Sequence, residues 1–242
     1  MSATVRLLDP ILIDQIAAGE VIERPANLVK ELLENAIDAR AGAITVSVED
    51  GGRGVVRVID DGVGMSPEDA AMCVERHATS KIATFDDLVR VSTLGFRGEA
   101  LPSIGSVSKM TITTRLKGEL EGTRVVVEGG ELREVMPAGC PPGTTVVVED
   151  LFYNVPARKK FLRARQTETS RIFEVCQRVA LGHPELRLVV RSDGRTARQY
   201  LPAGSLAERA HQVFGELMLR EIHAEREGLV IDALLAPVEL AR

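Results

Sequence analysis

Four β-branched runs, VSKMTITTRL (107–116), GTRVVVEGG (122–130), ELREVMP (131–137) and GTTVVVEDL (143–151), follow one another with only glycine- and proline-rich turns such as AGCPPG between them. Connections this short leave no room for crossover helices, so the strands must form an antiparallel meander. Two further hairpins are expected. ITVSVED (44–50) meets VVRVIDD (55–61) through Gly51-Gly52-Arg53-Gly54, and LRLVVRS (186–192) meets RTARQYL (195–201) through an Asp-Gly turn. Helices are expected over 27–39, with Pro25 near its start, over 66–78, with Ser66 as N-cap and Pro67 first in the helix, and over 167–184, which closes on Gly-His-Pro. Residues 80–101 have no clean period and read as a loop or lid leading into a short helix. Runs of strands with helices to one side imply an α+β class: a two-layer α/β sandwich on a mixed, largely antiparallel sheet. The pattern breaks at 202–204, and SLAERAHQVFG (205–215) with LVIDALLAPVEL (229–240) reads as the opening of a second α/β unit. The expected division is therefore 1–203 and 204–242, within a longer protein.

With 45% hydrophobic residues over 242 positions, the chain can bury one substantial core. No apolar run approaches the ~18 residues of a membrane span, so a cytoplasmic location away from the membrane is expected. Cys73, Cys140 and Cys176 are too scattered for a disulfide framework or a zinc site and read as free thiols. The net charge of −5 hides an asymmetry, because residues 151–200 hold eleven Lys or Arg against four Asp or Glu. With 3% aromatics and no Trp, any nucleic-acid contact should be to phosphates rather than stacked bases.

One helix carries unusual chemistry. In KELLENAID (30–38), the ~100° step per residue puts Glu31, Asn35 and Asp38 on one stripe, opposite Val29, Leu32, Leu33, Ala36 and Ile37. Such a stripe is either a solvated face or a site for a cation and proton transfer. In DDGVGM (60–65), Asp60 ends a strand, where its carboxylate could accept a hydrogen bond from an exocyclic amine. Gly62 and Gly64 would let backbone approach a flat base. Alone, that string is also an ordinary turn. Gly95 and Gly98, ahead of a short helix, suit close approach to phosphate oxygens. Thr79, Ser80 and Lys81 add hydroxyls and a cation, and Thr144 at a strand start could fix a carboxylate or a water. Arg158, Lys159, Lys160, Arg163 and Arg165 form a basic group suited to phosphates. No GxxxxGK[ST], GxGxxG or GxSxG is present, so any nucleotide must be held by another architecture.

The order ELLENAID, DDGVGM, RHATSKI, GFRGEAL, PPGTT resembles the ATP-binding superfamily shared by DNA gyrase, a heat-shock chaperone, histidine kinases and MutL. QIAAGEVIERPANLVKELLENAIDA, RHATSKI, TLGFRGEALPSI and DLFYNVPARKKFL are similar to MutL-type DNA mismatch-repair proteins almost word for word, across nearly all of residues 11–165. The resemblance implies a Bergerat-type fold, ATP and Mg²⁺ as cofactors, and an ATPase. Glu31 is then the general base on the water that attacks the γ-phosphate, and Asn35 the Mg²⁺ ligand. Asp60 holds adenine, with Gly62 and Gly64 beside it and Thr144 in support. Thr79, Ser80 and Lys81, with the lid residues Gly95, Phe96, Arg97, Gly98, Glu99, Ala100 and Leu101, bind phosphates. It also implies an ATP-dependent homodimer of N-terminal regions, action on DNA, and coupling to the mismatch-recognition protein MutS. The family's second domain contributes a lysine to the γ-phosphate that lies beyond these residues, so weak or absent turnover by this stretch alone is expected. Two other readings are a topoisomerase II ATPase subunit, which GFRGEAL and FYNVPARKKF weigh against, and an ATP-gated scaffold without turnover.

Overall fold

The structure is a computed structural model and describes residues 9–81, 84, 87, 94–95, 98–215 and 219–235. The strands are β1 (Ala43–Glu49), β2 (Val55–Asp60), β3 (Lys109–Arg115), β4 (Gly122–Glu128), β5 (Glu131–Ala138), β6 (Gly143–Glu149), β7 (Arg187–Ser192) and β8 (Arg195–Tyr200). They form one sheet in the order β5-β4-β3-β6-β2-β1-β7-β8. Every neighbouring pair is antiparallel except β1 with β7, so the sheet is mixed and largely antiparallel as expected. Only β3-β4-β5 form the expected meander: the fourth run, β6, does not pair with β5 but enters between β3 and β2, joining the meander to the β2-β1 hairpin, and the parallel β1-β7 pair adds the β7-β8 hairpin.

Alternation decides which face is covered. Ile44, Val46 and Val48 of β1, Val56 and Val58 of β2, Met110 and Ile112 of β3, Val125 and Val127 of β4, and Val146 and Val148 of β6 all turn inward into the core. The helices are α1 (Pro10–Val21), α2 (Pro25–Asp38), α3 (Pro67–Met72), α4 (Ala100–Ser106), α5 (Pro156–Phe161), α6 (Arg165–Gly182) and α7 (Leu206–Phe214). α2 lies on β2 and α6, and α1 lies on α4. α2 buries Leu28, Val29, Leu32, Leu33 and Ala36. At about 1.5–3 kcal/mol for each large apolar side chain, that face dominates whatever intrinsic helix preference contributes. Pro25 is its first residue, and the left-handed backbone at Arg40 (φ 58°) ends the run.

Some boundaries differ from the sequence expectation. α2 starts at Pro25 rather than near residue 27. α3 stops at Met72, short of residue 78, and the chain turns back through His77 at φ 63°. α6 begins at Arg165 rather than at residue 167, and within its first turns the Thr169 and Ser170 hydroxyls donate back to the carbonyls of Arg165 and Gln166. The buried Glu168 carboxylate accepts the Arg163 N–H there. The basic group at 158–160 forms a helix of its own, α5.

All three cysteines are free thiols. Among the described residues no helix is long and apolar enough to cross a membrane. Past residue 203, α7 packs against α6 and β8, and the fully buried Arg209 donates through Nη2 to the carbonyls of Pro184 and Leu186, both at 2.6 Å. The apolar run beginning at Leu229 is β10 (Leu229–Leu235), paired antiparallel with β9 (Arg220–Arg226) in a separate two-stranded sheet.

Candidate functional site

The sheet register lays down a polar row beside an apolar one. Asp60 on β2 pairs with Thr144 on β6, which pairs with Thr114 on β3. One inward step along the same strands, Val58, Val146 and Ile112 align in the same way. Carboxylate and hydroxyls thus end an apolar floor. The floor belongs to a cleft of about 1030 Å³ between the sheet, α2 and the segments at residues 78–81, 94–95 and 98–101.

Asp60 is 9% exposed and accepts the Gly62 N–H at 2.9 Å. Burial pushes its carboxyl up to about 6, with the charge of Asp61 adding a little and the backbone N–H groups of Gly62 and Thr144 pulling the other way. An ionised carboxylate here keeps acceptor capacity beyond its two backbone donors, which a ligand amine would fill. The neighbouring Asp61 serves the fold instead. Its Oδ1 accepts the N–H groups of Gly42 and Ala43, both at 2.8 Å, and fastens the entry to β1. Thr114 is buried and central to this corner. Its hydroxyl donates to the Gly143 carbonyl, lies 3.0 Å from the Thr144 hydroxyl and accepts the Met65 N–H.

Gly64 holds φ 75°, and a Cβ there would run into the backbone carbonyl of Arg115. The glycine is therefore required first by packing of the 63–65 segment on the end of β3, where Lys117 N–H also bonds the Val63 carbonyl at 3.1 Å. Gly98 (φ 63°) is held equally tightly, against the backbone of Ala78.

Across the cleft, α2 presents Glu31, Glu34, Asn35 and Asp38. Lys30 Nζ reaches the two Glu34 oxygens at 2.7 and 2.8 Å and touches Glu31 Oε1 at 3.3 Å. Burial works against that ammonium, but the hydrogen bond to Glu34 and the charges of Glu31 and Glu34 raise its pKa above the ordinary lysine value. Lys81 Nζ lies 2.5 Å from Asp38 Oδ2 and 3.2 Å from Asn35 Oδ1. The described lining carries seven carboxylates (Glu20, Glu31, Glu34, Asp38, Asp60, Asp69, Glu99) and two lysines (Lys30, Lys81). A polyanion would be repelled from such a wall unless a cation came with it. Among the described residues no three acidic, histidine or cysteine side chains gather to hold a metal alone.

Of the residues singled out from sequence, Glu31, Asn35, Asp60, Gly64, Thr79, Ser80, Lys81, Gly95, Gly98, Glu99, Ala100, Leu101 and Thr144 all line this one cleft. Gly62 serves it by bonding Asp60, and Phe96 and Arg97 lie outside the described residues. The basic group is elsewhere. Lys159, Lys160 and Arg163 are exposed, the Arg158 guanidinium lies against Gly19 of α1, and Arg165 pairs with Asp193 at 2.5 Å. Sequence reasoning passes over Thr114, whose only signal is its place in the inward alternation after Met110 and Ile112. It places Asp38 on the stripe without assigning it a role.

The chain is similar to several known proteins. The family described as "Histidine kinase-, DNA gyrase B-, and HSP90-like ATPase" matches residues 23–129. The DNA mismatch repair protein MutL of Geobacter sulfurreducens is 48% identical over 100% of this chain and 40% of its own length. That of Syntrophotalea carbinolica is 50% identical over 94% of this chain and 36% of its own length. The chain thus spans about two fifths or less of the length of these relatives. The solved Aquifex aeolicus MutL ATPase domain complexed with ADP superposes with a TM-score of 0.75 at 35% identity, covering 89% of this chain and 78% of that one.

Proposed function

The chain belongs to the MutL family of DNA mismatch-repair proteins, within its N-terminal ATPase region, and from that premise we propose that it binds and hydrolyses ATP to drive the association of a repair protein with its partners. One observation carries the reading: a single cleft holds the buried Asp60 carboxylate together with Glu31, Asn35 and Lys81. Asp60 accepts the adenine amine, and Thr144 and Thr114 keep that corner in register. Val58, Val146 and Ile112 lie against the base. Glu31 takes the proton of the attacking water as its oxygen bonds the γ-phosphorus and the bond to the bridging oxygen breaks, releasing ADP and phosphate. Asn35 would hold Mg²⁺ through its amide oxygen, and the ion when bound supplies charge neutralisation on the phosphates. Thr79, Ser80, Lys81 and the 95–101 segment contact phosphate oxygens.

The test is calorimetric titration of the chain with Mg²⁺ and a non-hydrolysable ATP analogue, beside the matching GTP analogue. Saturable binding of the adenine compound with the guanine compound at least ~100-fold weaker is expected, because a guanine carbonyl facing Asp60 would set acceptor against acceptor. Equal affinities would overturn the adenine assignment.

Residues 1–203 form the ATP-binding domain in this proposal and 204–242 open the second, with α7 and its buried Arg209 as the joint. The whole protein is proposed to act in the cytoplasm on chromosomal DNA, closing its N-terminal regions into an ATP-dependent homodimer and answering to MutS. Lys159, Lys160 and Arg163 are its proposed DNA-phosphate contacts in this chain, with Arg158 and Arg165 engaged within the fold. Three such contacts predict a plot of log affinity against log salt with a slope of roughly −3 and little sequence preference. A flat, sequence-selective profile in a fluorescence-anisotropy titration would contradict this.

A further inference from the structure

Asp38 is the last residue of α2, where the helix's unsatisfied carbonyls disfavour a carboxylate, yet its side chain is only 8% exposed. Three donors converge on it. Lys81 Nζ lies at 2.5 Å, and the backbone N–H groups of Leu94 and Gly95 at 3.1 and 3.2 Å. Gly95 permits this approach, since a Cβ there would stand 3.3 Å from Lys81 Nζ. The same ammonium also donates to Asn35 Oδ1 at 3.2 Å. Lys81 therefore occupies the surroundings of the one amide oxygen to which a cation has been assigned.

Resting on the ATP reading above, we propose that Asp38 is a positioning residue for phosphate recognition: it tethers Lys81 in the cleft as a resident cation, which exchanges the Asn35 amide oxygen for a phosphate oxygen when nucleotide enters. Lysine suits such an exchange because its three donors turn on a flexible stem, so one bond to Asp38 persists while another changes partner. The tether has a purpose in this wall. Lys30 is already taken up by Glu34, and an untethered Lys81 would have Glu31 and Glu34 as competing partners on the same helix face. A cation held by the Asn35 amide oxygen would leave the ammonium no place there, so Lys81 would turn to the phosphates in that state too.

The experiment is a double-mutant cycle by calorimetry on the chain: wild type, Asp38→Asn, Lys81→Met and both together. Each is titrated with the non-hydrolysable ATP analogue in EDTA and, separately, with adenosine. Asn keeps an acceptor for the Leu94 and Gly95 N–H groups and removes the charge that holds Lys81. Without Mg²⁺, each single variant is expected to weaken the analogue about tenfold, the worth of one charge-assisted hydrogen bond. The double variant should be no weaker than Lys81→Met, and adenosine affinity should stay within about twofold throughout. Additive losses, a parallel fall in adenosine affinity, or tighter analogue binding by Asp38→Asn would overturn the proposal while leaving the ATP reading intact. A wild-type chain that binds neither compound would overturn that reading, and this proposal with it.

Discussion

Asp60→Asn is expected to remove ATP-analogue binding by a factor of roughly a hundred or more while making the ligand-free chain more stable. Both effects come from the same carboxylate. Two backbone N–H groups, from Gly62 and Thr144, already point at it. An Asn amide would turn its oxygen toward them and leave its NH₂ facing the ligand amine, donor against donor. For stability, the sign follows from the raised pKa. The folded carboxyl titrates near 6 against an ordinary 3.8, so the folded chain binds the extra proton between those values. Stability from this group is fully present below pH 3.8 and is lost as pH rises through about 6. At neutral pH the cost is roughly 3 kcal/mol, of which Asn recovers a part, since it leaves one N–H poorly paired. Thermal melts should therefore show the variant above wild type at pH 7, with the gap shrinking as pH falls toward 4. Wild-type affinity for the analogue should likewise decline below about pH 6, as the acceptor becomes protonated. Unchanged affinity in Asp60→Asn, measured by calorimetry, would remove Asp60 from the base pocket.

How far the sequence could carry this depended on whether a feature was local. The period-two alternation of VVRVID, MTITT and TTVVVE announces strands and their inner faces, and short turns set the register of β1 with β2 and of β3 with β4, whereas β6 finds β2 and β3 across distant parts of the chain. Glu31, Asn35 and Asp38 share a stripe because helical geometry alone puts them there. Thr114 is invisible in the sequence because a strand threonine is unremarkable until β6 is inserted beside β3 and brings Thr144 within 3.0 Å. Asp38's partners at 81 and 94–95 lie more than forty positions away in the chain, and nothing in KELLENAID specifies them. Gly64 reads in the sequence as a position where backbone approaches a flat base. The reason visible in the structure is the Arg115 carbonyl behind it, which no local pattern encodes. The start of α6 at Arg165 rather than residue 167 goes with the buried Glu168 carboxylate accepting the Arg163 N–H, a contact that the local pattern of 167–184 does not specify. Residue roles at the phosphate end came from resemblance to the family, not from spacing.

Glu31→Gln carries the largest expected effect on chemistry, a fall of about 10²–10⁴ in the rate of ATP cleavage with analogue affinity changed less than about twofold. The geometry around Lys30 gives the reason for expecting so clean a separation. Lys30 holds both oxygens of Glu34 at 2.7 and 2.8 Å and Glu31 by one contact at 3.3 Å, so Glu34 is the counter-ion and Glu31 keeps capacity to accept from a water. Gln preserves the volume, the Lys30 contact and the helix face, and loses only the site that takes the proton. Removing one negative charge from an acidic cleft would, if anything, ease nucleotide entry, so a loss of turnover could not be assigned to weaker binding. Single-turnover ADP formation after acid quench, with the chain in excess over ATP, is the suitable measurement, since it reports bond breaking before any product departs. Bond breaking within a fewfold of wild type would transfer the base role to Glu34, the neighbouring carboxylate that α2 presents to the cleft, and Glu34→Gln would then be the variant to lose turnover, freeing Lys30 to pair with Glu31.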